Sequence, residues 1–342
     1  MPCYSPLKAF QIGLTENGKP KYKICSYQTD HVEQQPNGSW IPTHLSMRGA
    51  RACSVVRSFI EIPCGQCIGC RLQYSRMWAD RCMMELQYHK ESYFLTLTYD
   101  DAHLPRSMYV DPNTGEVLTS YTLRKRDLQL FFKRLRKYLG EDIKIRYFAC
   151  GEYGDTTFRP HYHAIVYGLH LDDLRLYKTT REGWNYYNSD TLTKIWRNGF
   201  VVVADVTWET CAYTARYVVK KAKGKDCAFY DLHGLQPEFT VMSRKPGIAK
   251  QYFDDHPDLY KYEYINIPTD KGGIKFRPPK YFDRLHELAY PDDMKSIKES
   301  RKMIAEDSKK IKLSLTNLSY LDILKVEEDN KLASIKSLER SL

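Results

Sequence analysis

The sequence has 342 residues, of which 42% are hydrophobic and 13% aromatic, and this composition favours a folded protein of one or two domains over a disordered chain. It carries 52 basic and 42 acidic side chains, and the net charge of +10 favours a polyanionic partner. No apolar run reaches the ~18 residues of a membrane span, and the first residues lack the apolar core of a signal peptide, so we expect a soluble intracellular protein.

The N-terminal part predicts a β-hairpin. Between residues 10 and 27, apolar and polar residues alternate on either side of Asn17-Gly18, a dipeptide typical of a tight turn between two strands.

A cysteine motif follows the hairpin. Cys64, Cys67 and Cys70 form Cys-x-x-Cys-x-x-Cys. In a chain without an export signal, cysteines are expected to be reduced thiols or metal ligands rather than disulfides. A structural zinc ion would need a fourth ligand, such as Cys3, Cys25 or Cys53, and the alternative is a set of reduced structural thiols.

The middle of the chain alternates irregularly between helices and strands. The apolar spacing predicts a helix at 70–89, a central strand at 93–98, a loop at 105–115 and a basic amphipathic helix at 123–139. Thr122 is the expected N-cap of the last of these helices, whose predicted inward residues are Leu128, Phe131, Phe132 and Leu135.

Further elements are predicted downstream. They are strands at 143–150 and 161–167 with a polar loop at 153–160 between them, a short helix at 191–196, a strand at 200–206, and a second long helix from 208 to about 223 with Thr207 as its cap. We therefore expect an α+β fold with a central antiparallel sheet of about five strands backed by helices.

The last part of the chain differs in composition. From Tyr281 to Leu342, 12 basic residues balance 12 acidic ones, so the positive excess belongs to residues 1–280. The pattern predicts one or two peripheral helices or a partly disordered tail. The expected organisation is a hairpin and cysteine-rich segment at 1–90, a core at 91–285 and a charged tail at 286–342.

The segment RPHYHAIVYG contains a candidate metal pair. Alternate residues of a strand face the same side, so His161 and His163 project together. Glu152 ends the preceding strand, and an antiparallel return can place its carboxylate beside them. Two ordinary strand histidines are the alternative interpretation.

The second long helix contains candidate nucleophiles. Helical spacing places Tyr213, Tyr217 and Lys220 on one face, although tyrosines that cover the edge of a core would show the same pattern. A phenol with an ordinary pKa of about 10 needs an activated phosphodiester, which a divalent cation can supply. Phosphate oxygens favour Mg²⁺ or Mn²⁺, and histidine ligands favour Mn²⁺.

These residues together carry a family resemblance. FLTLT at 94–98, Glu152 followed by His161-Tyr162-His163, and Tyr213-x-x-x-Tyr217-x-x-Lys220 occur in the order of the three motifs of HUH endonucleases. The chain more closely resembles replication initiator proteins of microviruses, especially of the gokushovirus type, since it also has PCGQCIGCR at 63–71, GEYG before the histidines and MSRKPGI at 242–248. The likeness covers roughly residues 1–285.

The resemblance implies rolling-circle replication, in which the protein nicks single-stranded origin DNA, stays attached to the 5′ phosphate and later rejoins the strand. It implies an HUH/RRM-like sheet, a Mg²⁺ or Mn²⁺ site at His161, His163 and Glu152, and two tyrosines that alternate as nucleophiles. Arg216 stands relative to Tyr213 where Lys220 stands relative to Tyr217. Arg216 retains the charge but stays protonated, so it cannot transfer a proton.

The expected partners follow from the same resemblance. They are single-stranded origin DNA, contacted by Arg159, Arg216 and Lys221, and a helicase and polymerase of the host, in the host bacterial cytoplasm. Two other functions stay open: a non-catalytic single-stranded nucleic-acid-binding module whose aromatic residues stack on bases, and a related HUH relaxase or transposase.

Overall fold

A computed structural model describes residues 3–42, 53–154, 157–181, 183–208, 210–212, 214–215, 227–269 and 272–339. The chain divides into two compact units, Met1–Gln73 with Ile297–Leu342, and Tyr74–Ser296. The domain boundaries expected near residues 90 and 285 stay a proposal, because compactness in space does not show which segments fold independently.

The strands and helices have the following bounds. The strands are β1 (Leu7–Leu14), β2 (Pro20–Ser26), β3 (Val32–Gln34), β4 (Trp40–Pro42), β5 (Ser54–Val56), β6 (Phe59–Ile62), β7 (Ser92–Tyr99), β8 (Arg106–Val110), β9 (Val117–Tyr121), β10 (Arg146–Tyr153), β11 (Pro160–Tyr167), β12 (Arg175–Thr179), β13 (Asn185–Asn188), β14 (Gly199–Asp205), β15 (Phe239–Met242), β16 (Ile265–Thr269) and β17 (Gly272–Phe276). The helices are α1 (Ile68–Leu86), α2 (Lys125–Leu139), α3 (Asp190–Trp196), α4 (Ala228–Leu232), α5 (Lys250–Asp255), α6 (Lys280–Ala289), α7 (Pro291–Ser314) and α8 (Tyr320–Glu339), with a 3₁₀ helix at Pro257–Lys261. A further helix begins at Trp208 and includes residues 210–212 and 214–215.

The first unit contains two small sheets, ordered β2-β1-β6 and β4-β3-β5. β1 and β2 form the antiparallel hairpin that the sequence predicts. The C-terminal segment contributes helical residues to this unit. The Lys309 ammonium group lies 2.6 Å from the Tyr27 hydroxyl and also pairs with Glu61, and the Tyr320 ring centroid lies 6.0 Å from that of Tyr27.

The second unit is built on a seven-stranded sheet in the order β12-β13-β14-β7-β11-β10-β15, with antiparallel neighbours throughout. The predicted antiparallel sheet is confirmed, but it has seven strands rather than about five. The added strands β12, β13 and β15 have only four or five residues each, none of them fully buried, so their patterns are too short to predict a strand from the sequence.

Alternation along the strands separates the two faces of this sheet. One face, which includes Leu97, Tyr162 and Val203, packs against α2 and α3. The opposite face, which includes Phe94, Phe148 and Ile165, packs against α1 and the helix that begins at Trp208. Each face is therefore covered by helices in part.

Gly199 permits the close pairing of β14 with β7. It has φ +149°, and a Cβ atom there would lie 2.4 Å from the carbonyl oxygen of Thr98 and from the backbone nitrogen of Asp100. Any other residue would push the two strands apart.

Two local predictions are wrong. The segment predicted as a loop at 105–115 contains β8, which pairs with β9 in a separate hairpin whose side chains on one side stay exposed. The N-cap of α2 is Arg124, without a side-chain cap, because the Thr122 hydroxyl instead accepts the backbone N–H of Gln236. The four predicted inward residues of α2 are buried as expected.

None of the helices in the described ranges combines the length and hydropathy that a bilayer span requires.

Candidate active site

Three side chains converge on one row of the main sheet. Glu152 of β10 lies directly opposite His161 of β11 in the antiparallel register, and Cys150 lies opposite His163. Oε1 of Glu152 lies 2.7 Å from Nε2 of His161 and 2.9 Å from Nε2 of His163. The structure therefore brings together all three residues predicted as metal ligands.

The site is buried, and its Glu152 side chain carries a negative charge. Glu152 is 1% exposed and His163 4%. Burial by itself raises the pKa of the Glu152 carboxyl, but the hydrogen bonds and charge of His161 and His163 outweigh it and lower the pKa to about 2. Glu152 is thus an anion at neutral pH, the form in which a carboxylate binds a cation.

The Nδ1 atoms of both histidines, which face away from Glu152, also have hydrogen-bond partners. Nδ1 of His161 lies 3.1 Å from the carbonyl oxygen of Arg159. A carbonyl oxygen only accepts, so this contact favours an N–H on Nδ1. A neutral ring in this tautomer would offer its Nε2 lone pair to a cation held between it and Glu152. Nδ1 of His163 lies 3.1 Å from the Thr96 hydroxyl, and Phe94 stacks on the same ring at 5.3 Å.

This donor set fits a divalent cation. One ligand atom each from Glu152, His161 and His163 lie within 4.8 Å of one another, close enough for a single ion. Two imidazole nitrogens and a carboxylate oxygen suit Mn²⁺ and related ions, and support of each imidazole by a hydrogen bond at its other nitrogen is usual in metal sites.

The helix with the predicted nucleophiles starts on the same face of the sheet. Thr207 caps it as predicted, because its hydroxyl accepts the backbone N–H of Thr210 at 3.2 Å. Cys211 and Ala215 are fully buried in the core that contains Phe94 and Ile165. The residues Tyr213, Arg216, Tyr217, Lys220 and Lys221 lie outside the described residues.

Arg159, predicted to contact DNA, has partners within the protein. Its guanidinium group donates to Asp101 at 2.7 Å and to the carbonyl oxygen of Tyr99 at 3.0 Å. Asp101 is largely exposed, so a DNA phosphate would have to compete with it. A role for Arg159 in DNA binding stays a prediction.

Two residues at the site were not singled out from the sequence. Thr96 supports His163, and Phe200 of β14 pairs with Thr98, which in turn pairs with His161. Phe200 is 65% exposed although it lies in a strand of the main sheet. The alternation of side chains along a strand could have identified the threonines from the sequence. Once β7 is known to pair with β11, alternation places Thr96 and Thr98 on the same face of the sheet as His161 and His163.

The cysteine motif lies in the first unit. Sulfur atoms of Cys64, Cys67 and Cys70 gather with that of Cys3, all within 4.8 Å of one another. Cys3, Cys64, Cys67 and Cys70 are free thiols.

Comparisons with known proteins agree with this combination of motifs. Residues 92–222 match a family model described as Replication-associated protein ORF2/G2P. The replication-associated protein ORF2 of Spiroplasma virus 4 is 36% identical over 289 residues, which cover 82% of this chain and 86% of that protein.

Two further relatives are similar. Replication-associated protein VP4 of Bdellovibrio phage phiMH2K is 29% identical over 263 residues, covering 73% of this chain and 77% of that protein. Replication-associated protein ORF4 of Chlamydia phage 1 is 33% identical over 241 residues, covering 68% and 55%. No solved structure matches the chain. The protein of Spiroplasma virus 4 is 36% identical and is matched over 86% of its length. These similarities show that the chain belongs to the phage replication-associated proteins, the gokushovirus-type replication initiators.

Proposed function

We propose that the protein initiates rolling-circle replication by nicking single-stranded DNA at the origin, with a tyrosine as nucleophile and a divalent cation at Glu152, His161 and His163. The observation that carries the proposal is the convergence of these three side chains on the sheet face where the helix predicted to carry the tyrosines begins. An HUH/RRM-like assignment of the sheet belongs to the same proposal.

The three proposed metal ligands are already oriented by their neighbours before a cation binds. Glu152 supplies the negative charge, while Thr96 and the carbonyl of Arg159 orient the two imidazole rings. When bound, Mg²⁺ or Mn²⁺ would polarise the scissile phosphate and offset the charge that develops on it. His161 has the more exposed side chain of the two histidines, at 19% against 5%, so the substrate would enter from its side.

The chemical step is a phosphoryl transfer. The oxygen of Tyr217 or Tyr213 attacks the phosphorus, a tyrosine–phosphate bond forms, and the bond from phosphorus to the 3′ oxygen breaks. The phenolic proton is lost and the departing 3′ oxygen gains one, so the products are a 5′ phosphotyrosine and a free 3′ hydroxyl. Lys220 would offset charge on the phenolate or the phosphate.

Closure repeats the step in reverse. The second tyrosine can start another nick while the first still holds the 5′ end, and a 3′ hydroxyl then displaces a tyrosine to rejoin the strand. The 3′ hydroxyl left by the nick would prime a host polymerase, and a host helicase would separate the strands in the host cytoplasm.

The position of Phe200 favours single-stranded over double-stranded DNA as the substrate. Its exposed ring lies on the row of the sheet that contains Glu152, His161 and Thr98. An unpaired base can stack on such a ring, whereas a base within a duplex is already stacked on its neighbours.

To test this proposal, the full chain is incubated with Mn²⁺ and with single-stranded oligonucleotides that together cover the genome encoding it. Covalent adducts are those that survive denaturing electrophoresis. We expect one region to give an adduct and a shorter product with a free 3′ hydroxyl. His163→Ala should lower the adduct yield by more than about 100-fold, since the metal contributes several kcal/mol to the transition state.

His170→Ala is the matched control, because His170 is exposed and pairs with Glu91 and Asp172 instead. It should leave the adduct unchanged. An undiminished adduct in His163→Ala would refute the metal site. Salt-sensitive binding without any adduct would favour the non-catalytic module, and strand-transfer products between two ends would favour a relaxase or transposase.

A further inference from the structure

The sulfur cluster of the first unit, Cys3, Cys64, Cys67 and Cys70, has the dimensions of a single metal site. Its four sulfur atoms lie within 4.8 Å of one another, and those of Cys3 and Cys67 are 3.9 Å apart. Tetrahedral zinc with Zn–S bonds of about 2.3 Å places its sulfur ligands about 3.8 Å apart. A disulfide would need about 2.05 Å.

The strand register explains why Cys3 meets the motif. Leu7 of β1 lies opposite Ile62 of β6 in an antiparallel pair. Cys3 precedes β1 and Cys64 follows β6, so both leave the sheet at the same end. From the sequence, Cys3, Cys25 and Cys53 are all candidates for the fourth ligand. In the structure, Cys3 is the one that lies beside Cys64, Cys67 and Cys70.

Backbone N–H groups are directed at the sulfur atoms. Cys64 Sγ accepts from the N–H groups of Gln66 at 3.3 Å and Cys67 at 3.2 Å. Cys67 Sγ accepts from Tyr4 at 3.3 Å, and Cys3 Sγ accepts from Cys64 at 3.2 Å.

Each of these hydrogen bonds favours the thiolate, the form that binds a metal, because a hydrogen bond to an ionised acceptor is stronger than one to a neutral thiol. They oppose burial, which by itself raises the pKa of the Cys3 thiol. Gly65 makes the tight turn between the first two cysteines, with φ +72°. The local backbone thus aims its donors at ligands rather than packing the sulfur atoms as apolar groups.

We propose that Cys3, Cys64, Cys67 and Cys70 bind one zinc ion in a structural site of the first unit. Four thiols lose their protons as the ion binds, and the closed ligand set leaves no position for substrate. The ion joins the start of the chain to the turn before α1. This inference is independent of the nicking mechanism.

The first test measures metal in the full chain purified without added metal. We expect about one tightly held zinc per chain, reduced at least tenfold in Cys3→Ser and in Cys67→Ser. Cys53→Ser is the matched control, because Cys53 is exposed and lies outside the cluster, and it should retain the zinc. Zinc unchanged in both cluster variants, or iron in place of zinc, would overturn the proposal.

Two measurements keep the proposal testable if a cluster variant does not fold. In the wild-type protein, a zinc chelator should make four more thiols reactive toward a thiol reagent, and no increase would contradict the site. Cobalt bound in place of zinc should show sulfur-to-cobalt charge-transfer absorption that persists in His163→Ala. Absence of that absorption would also refute the cysteine site.

Discussion

The two threonines of β7 have different contacts at the candidate site. The Thr96 hydroxyl lies 3.1 Å from Nδ1 of His163, whereas the Thr98 hydroxyl donates to the carbonyl oxygen of Phe200 at 3.3 Å. The sequence predicts the strand and the histidine pair. It does not assign a task to Thr96, because that depends on which residue of β7 lies opposite His163.

Thr96→Val tests the support of His163. Valine keeps the branched shape that suits a strand but removes the hydroxyl. Loss of such a partner weakens metal binding by about 10- to 100-fold, and we expect this increase in the Mn²⁺ dissociation constant by calorimetry. Thr98→Val is the control and should bind Mn²⁺ as the wild type does. Equal affinity in the two variants would refute the role of Thr96.

Phe200→Ala tests base stacking. Because the ring is 65% exposed, the substitution should leave stability nearly unchanged. Loss of one stacked base costs about 1–3 kcal/mol, so affinity for a single-stranded oligonucleotide should fall by about 5- to 150-fold. Tyr177→Ala removes an aromatic side chain of similar exposure on the outermost strand and should bind normally. Normal binding by Phe200→Ala would exclude stacking on this ring.

At the scale of elements, the fold places the basic helix α2 on the face of the main sheet opposite the candidate site. Periodicity predicts its buried side correctly, but a single sequence does not tell on which face of the sheet a helix packs. α2 packs on the face opposite His161 and His163. Arg134 of α2 donates to the carbonyl oxygens of Ile195 and Trp196, so it supports α3. The basic residues of α2 therefore do not surround the candidate site.

α1 contains a buried acid that gives a pH-dependent prediction. Asp80 is 5% exposed, and burial raises its pKa to about 6, with Arg76 and Trp208 only partly opposing this shift. Because the folded pKa lies above the ordinary value of about 3.9, the folded state binds more protons between these values and its stability falls as pH rises through them.

Asp80→Asn removes this titration. The free energy of unfolding of the variant minus that of the wild type should rise by on the order of 3 kcal/mol between about pH 4 and about pH 7, because only the wild type loses stability over this range. Urea unfolding at several pH values measures this difference. A difference in the free energy of unfolding that does not change with pH would contradict the assignment.

At the scale of the whole molecule, the C-terminal segment is part of a compact unit. Lys309 and Tyr320 contact Tyr27, and these contacts join residues distant in sequence. The sequence predicts one or two peripheral helices or a partly disordered tail there, and the packing partners of the helices could not be foreseen because the segment has no apolar pattern that specifies a docking face. Cys3 is a similar case, since its place depends on the β1–β6 register.

A chain that ends after Leu288 tests this arrangement. We expect a lower melting temperature, because the Tyr27 side chain and its neighbours lose packing, but adducts with DNA should still form, since Glu152, His161 and His163 lie in the other unit. Lys309→Met should lower the melting temperature by a smaller amount. An unchanged melting temperature, or a folded protein that forms no adduct, would contradict the prediction.

The most direct test of the nicking mechanism identifies the residue that becomes attached to DNA. The wild-type adduct formed in Mn²⁺ is digested with protease and nuclease, and the modified peptide is sequenced by mass spectrometry. We predict a 5′ phosphotyrosine at Tyr217 or Tyr213, out of the 27 tyrosines of the chain, and its loss when Mn²⁺ is chelated before DNA is added. Attachment at any other residue, or undiminished attachment after chelation, would contradict it.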